Sequence, residues 1–121
     1  MATQTKPFVL TAQDRNRLRK RVLDALGRGH KNAVTGSDLA LILGERDDRK
    51  IRLLIRELIA EGVPVASSVA EPMGFYIVQN ENEAAAYIRV LKERIKEDTK
   101  RLEDFERAVA NYSLPAQGQL I

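Results

Sequence analysis

The sequence predicts a mainly α fold with a small β-hairpin, and three observations predict it. Ile51, Leu54, Ile55, Leu58 and Ile59 recur at i, i+3, i+4, i+7 and i+8, the stripe of a helix with one face turned to a core. Two short β-type runs, Val63 to Ser67 and Phe75 to Val78, flank a segment holding Pro72 and Gly74, as a hairpin requires. From about Glu83 to Tyr112 the chain has no breaker and carries apolar residues in 3-4 alternation, the pattern of one long helix with a coiled-coil seam.

Taken in order, residues 1–10 read as a tail, with Phe8, Val9 and Leu10 available to dock on the body. Thr11 and Asp14 have capping-box spacing and open a first helix from about Ala12 to Leu26, with Leu18, Val22, Ala25 and Leu26 on one face. Gly27 and Gly29 end it, and Ala33-Val34 is long enough to add a ladder partner to a small sheet. A second helix, Ser37 to Leu43, starts at Thr35 with Asp38 three positions on, and buries Leu39, Ala40 and Leu43. Gly44 stops it by supplying a left-handed turn, which a β-carbon would disfavour. The third helix opens at Asp47 or Asp48, either of which can N-cap, and runs to about Glu61, where Gly62 ends it. Asn80 or Asn82 caps the fourth helix, and residues 113–121, with Pro115 and Gly118, form a second tail. The expected organisation is therefore a tail (1–10), a compact domain (11–80), a long helix (81–112) and a tail (113–121).

With 121 residues, 44% hydrophobic and 31% charged, the chain has the composition of a soluble globular domain. It has no apolar run long enough to cross a membrane and no apolar N-terminal stretch of signal-peptide length. The absence of cysteine excludes disulfides and thiolate chemistry and fits a cytoplasmic location. The lone histidine, His30, lies in a Gly- and Lys-rich loop, so a zinc site is excluded in practice; no Ser-His-Asp set can be assembled except around His30, and no Ser sits in a nucleophile-elbow context. The glycines form no phosphate-cradling loop, and the carboxylates are spread among bases along helices. The expectation is a protein without enzymatic activity, cofactor or metal, and with no evident small-molecule ligand.

The net charge of +3 is unevenly placed: residues 1–62 carry 13 Lys/Arg against 8 Asp/Glu, and residues 63–121 carry 7 against 9. The basic excess lies in the half of the chain that holds the second and third helices, where polyanion binding would want it, because neutralising phosphates releases counterions. With its apolar stripe inward, the third helix presents Arg49, Lys50, Arg52, Leu53 and Arg56. Arg49, Arg52 and Arg56 stand one above another, and arginine there can fork to guanine or clamp a phosphate. The competing reading is a solvated charged face, diluted by Glu57 and by an Asp48–Arg52 pair.

The stretch from about Val34 to Val78 resembles the winged helix-turn-helix family, particularly the biotin-repressor-type and phage-type small DNA-binding domains. The resemblance is carried by Thr35, Leu39-Ala40 and Leu43-Gly44, then Arg49-Lys50-Ile51-Arg52, Ile55 and Leu58. It continues through Glu61-Gly62-Val63-Pro64-Val65, Ser67-Ser68 and Gly74-Phe75-Tyr76-Ile77. It implies that the third helix is the recognition helix and that Ser67 to Gly74 is the wing. Two departures stand out. Glu45-Arg46 follow the turn glycine, so Ile51 comes one residue late, and the wing tip from Val69 to Met73 has one Glu and no Lys or Arg. Thr35 and Ser37, at the start of the second helix, are expected to offer phosphate contacts, and Ser67 and Ser68 could touch phosphate or simply form the turn.

The seam of the long helix is Ile88, Leu91, Ile95, Leu102, Phe105 and Val109, closed by Tyr112, with Asp98 in the slot between Ile95 and Leu102. Glu97–Arg101 and Glu103–Arg107 are expected flanking pairs. Either the seam packs back on the domain through Tyr87 and Leu91, or it pairs with a second copy. A rod of about 45 Å outruns so small a body, which favours a homodimer. The expected function is sequence-specific binding of double-stranded DNA, regulating transcription or phage or plasmid replication. The rival from another class is a protein-interaction adaptor on the same scaffold without DNA binding.

Overall fold

The computed structural model describes residues 11–115, so the expected docking of Phe8, Val9 and Leu10 lies outside the described residues, as does most of the second tail. The fold is mainly helical with a small three-stranded sheet: α1 (Ala12–Ala25), β1 (Gly27–Arg28), a 3-10 turn (His30–Asn32), α2 (Gly36–Leu43), α3 (Arg49–Ala60), β2 (Val65–Ser68), β3 (Gly74–Ile77) and α4 (Glu81–Asn111). The chain divides into two compact units, one up to Ala84 and one from Ala85 onward.

Local chemistry fixes the helix starts. The Thr11 and Thr35 hydroxyl oxygens accept the N–H groups of Asp14 and Asp38, each at 3.0 Å, so both expected caps form. Gly44 closes α2 at φ 72°, in the left-handed region. At the start of α3 neither expected N-cap bond is made in the ordinary way. Asp48 stands at the cap without a side-chain cap bond, and Asp47 accepts the Arg49 N–H at 3.0 Å. Asn80, not Asn82, caps α4: its side chain accepts the Glu83 N–H at 2.9 Å, while the Glu83 carboxylate accepts the Gln79 N–H at 2.8 Å. This is a variant of the capping box, with the return bond made to the residue before the cap. The same carboxylate accepts the His30 N–H at 2.9 Å, tying the start of α4 to the 3-10 turn. These bonds hold the Glu83 carboxyl below the usual carboxylate range, first through His30 and then through Gln79.

The core is built where the helices face the sheet. Leu18, Val22 and Leu26 from α1 and its end meet Leu39, Ala40 and Leu43 of α2, Ile51, Leu54, Ile55 and Leu58 of α3, and Val65 and Ile77 of the sheet. Ile59 does not join them and is 48% exposed. At about 100° per residue it lies some 80° round the helix from Ile51, on the edge of the stripe rather than within it.

The sheet has the order β1-β3-β2. β2 and β3 form the expected hairpin, with Val65 opposite Ile77 and Ser68 opposite Gly74. The third strand is not the expected one: Gly27–Arg28, read from sequence as a helix terminator, pairs parallel to Tyr76–Ile77. Val34 contributes only an isolated bridge to Phe75, exchanging N–H···O bonds of 2.9 and 2.8 Å. The chain passes so close there that a β-carbon on Gly74 would lie 2.4 Å from the Val34 carbonyl, and Gly74 has φ 126°. The entry to α2 and the hairpin are thereby locked together.

Within the second unit α4 has no buried residue. Its expected flanking pairs are replaced: Arg107 pairs with Asp104 at 3.1 Å rather than with Glu103, Lys100 also pairs with Asp104 at 3.3 Å, and Arg101 forms no ion pair among the described residues.

Candidate nucleic-acid interface

With Ile51, Leu54, Ile55 and Leu58 buried, the opposite side of α3 exposes Arg49, Arg52, Leu53 and Arg56, as the stripe requires. Their charges are not equally available. The Arg52 Nε donates to Asp48 Oδ2 at 2.7 Å, and its guanidinium carbon lies 5.1 Å from the centroid of the Phe75 ring. The ion pair holds this side chain against the start of α3, and the cation–π contact carries it to Phe75 of β3. Lys50 is held 3.1 Å from Glu45. Arg49 and Arg56 are exposed and form no ion pair among the described residues, and the same holds for Arg46 in the turn.

The acidic residues of α3 are turned to other work. Glu57 is paired with Arg15 and with Arg19 (3.4 Å), and Glu61 with Arg19 at 2.8 Å. Arg15 and Arg19 are one helical turn apart on α1, and so are Glu57 and Glu61 on α3. Two matched i, i+4 pairs of opposite sign therefore meet across the helix packing. They neutralise Glu57, which in the sequence dilutes the basic face, together with Glu61. Sequence reasoning missed this clamp, although the two spacings were its signal.

Arg46, Asp47, Arg49, Lys50 and Leu53 line a depression of about 340 Å³ at the N-terminal end of α3. Arg46 and Asp47 also line a neighbouring hollow of about 280 Å³ with Ser37, Leu41, Glu45 and Asp48. Compared with family models, curated proteins and solved structures, the chain gives no significant match.

The other expected contact residues fall into place around α3 with differing chemistry. Ser37 is exposed at the start of α2, whereas the half-buried Thr35 uses its hydroxyl oxygen for the cap. Three carboxylates line the hollow beside Ser37, and a β-carbon on Gly36 would meet Asp48 Oδ2 at 2.6 Å. A negative group thus already abuts the first turn of α2, where a phosphate would otherwise be favoured. In the hairpin, Ser67 is half-buried and engaged. The Ser68 hydroxyl accepts the Ala70 N–H and donates to the Ala70 carbonyl, both at 3.0 Å, so its polar atom shapes the turn. The sequence reading also left Leu41 and Ile42 unassigned. They are 79% and 59% exposed, because Leu39, Ala40 and Leu43 define the buried side of so short a helix.

Proposed function

We propose that this chain is a winged helix-turn-helix protein that binds double-stranded DNA sequence-specifically, as a small regulator of transcription or replication. α2 and α3 form the helix-turn-helix, β2 and β3 the wing, and α4 joins two copies. The observation that carries the reading is the pair of unneutralised guanidinium groups, Arg49 and Arg56, two turns apart on the outer side of α3, while Glu57 and Glu61 are engaged by α1. Arg49 and Arg56 reach base edges or phosphates, Arg46 and Lys50 flank them toward the backbone, and Arg52 sets the angle between α3 and the hairpin.

The adaptor reading has its own support in Leu41, Ile42 and Leu53, all more than half exposed, and in a hairpin tip without a base. Titration of DNA over a salt series separates the two. A DNA binder loses affinity steeply, with a log–log slope of about −0.9 per phosphate contacted. Replacing both Arg49 and Arg56 by Ala is expected to lower affinity by at least about tenfold and flatten that slope, with the melting temperature unchanged. Undiminished binding by the double variant, or a flat salt response in the parent chain, would reject the DNA reading.

A further inference from the structure

The exposed seam of α4 reads alike in both directions, as an alternating 3-4 seam does, so its spacing admits either orientation and its side chains must choose. Ile88, Leu91, Ile95 and Asp98 precede residue 100 at the same intervals at which Leu102, Phe105, Val109 and Tyr112 follow it, read backward. The apolar members range from 37% exposed at Leu91 to 70% at Tyr112. Asp98 and Arg101, at the centre, form no ion pair among the described residues of their own chain.

We infer that α4 pairs antiparallel with the α4 of a second copy, in the register that sets Ile88 opposite the partner's Tyr112 and Asp98 opposite the partner's Leu102. This rests on the dimer reading above and deepens it. In that register all eight seam positions are matched. Ile88 meets the partner's Tyr112, Leu91 the partner's Val109, and Ile95 the partner's Phe105, so each large ring faces an aliphatic side chain. Asp98 comes within about 2 Å, along the helix axis, of the level of the partner's Arg101, on the same flank of the seam. Two aspartates and two arginines then alternate around the two-fold axis with no net charge. On the other flank Lys92 faces the partner's Glu106.

Parallel, in-register pairing lacks this complementarity. It stacks Asp98 on the partner's Asp98 in one layer of an apolar seam, leaving two like charges opposed. It also sets Phe105 on Phe105 and Tyr112 on Tyr112 on either side of the narrow Val109 layer.

The chain contains no cysteine, so Arg89→Cys, on an exposed flank of α4, gives a single labelling site in the full-length protein. Electron–electron spin distances then read the pairing directly. Antiparallel pairing places residue 89 level with the partner's residue 111 and the two labels about 33 Å apart along the axis. Parallel pairing leaves them level, separated by little more than the roughly 10 Å between helix axes plus the label arms. A dimer with the short distance overturns the antiparallel register but keeps the dimer. A monomeric mass at every concentration overturns both, and leaves the DNA titration as a separate question. As a second readout, Arg101→Asp is expected to weaken dimerisation by about tenfold or more, and adding Asp98→Arg to recover most of it. Failure of the exchange to recover affinity counts against the central quartet.

Discussion

At the scale of single residues, Gly74 carries more of this fold than its size suggests. It begins β3 at φ 126°, and its missing side chain lets the backbone at Val34 and Thr35 pass within van der Waals contact. Gly74→Ala is expected to lower stability by about 2 kcal/mol or more, from backbone strain compounded by collision with the Val34 carbonyl, as chemical denaturation would measure. Its turn-forming role was legible in the sequence, but its partner was not, because no local pattern places Val34 against it. The buried stripe of α3 was legible for the opposite reason: helical periodicity alone fixes which side chains share a face. That logic faltered at Ile59, where the edge of the stripe meets solvent. Glu83 shows the same division. Asn80 is legible in the sequence as one of two candidate caps, while the bonds that Glu83 accepts from Gln79 and His30 needed the folded chain. A carboxyl held below its ordinary value stabilises the fold fully above that value, about 4.3 for Glu, and the contribution fades as pH falls through the lower folded value. Glu83→Gln should therefore melt below the parent at about pH 7, and the gap should close toward about pH 3.

At the scale of elements, the clamp between α1 and α3 decides the electrostatics of the candidate interface. Arg15 and Arg19 are partly exposed, so their pairs with Glu57 and Glu61 add about 1 kcal/mol or less to stability. Their larger effect is on the charge that α3 presents. Arg15→Ala combined with Arg19→Ala is expected to weaken DNA binding several-fold at low salt, less so at high salt, while denaturation curves barely move. The sequence supplied both halves of this clamp but not their meeting, since charge pairs 42 residues apart leave no local trace. The extra strand has a similar history. Gly27 and Arg28 carry no strand propensity, and they pair because the end of α1 delivers them beside β3.

At the scale of the whole molecule, two units serve two purposes: a helical body with a small sheet, and a long helix whose apolar seam remains exposed in one chain. No described helix is long and apolar enough to cross a membrane. In the proposed dimer, Leu102→Asp would place a third and fourth carboxylate at the middle of the paired helices. Light scattering should then report 13.6 kDa rather than roughly twice that mass.

The mirror spacing about residue 100 also governs reach. In the proposed antiparallel pair the first turns of the two α4 helices lie about 57 Å apart along the helix axis. That exceeds the roughly 34 Å of one duplex turn between adjacent half-sites. Under both proposals, DNA binding and antiparallel pairing, attachment points wider apart than one duplex turn favour two separate stretches of duplex over a single short palindrome.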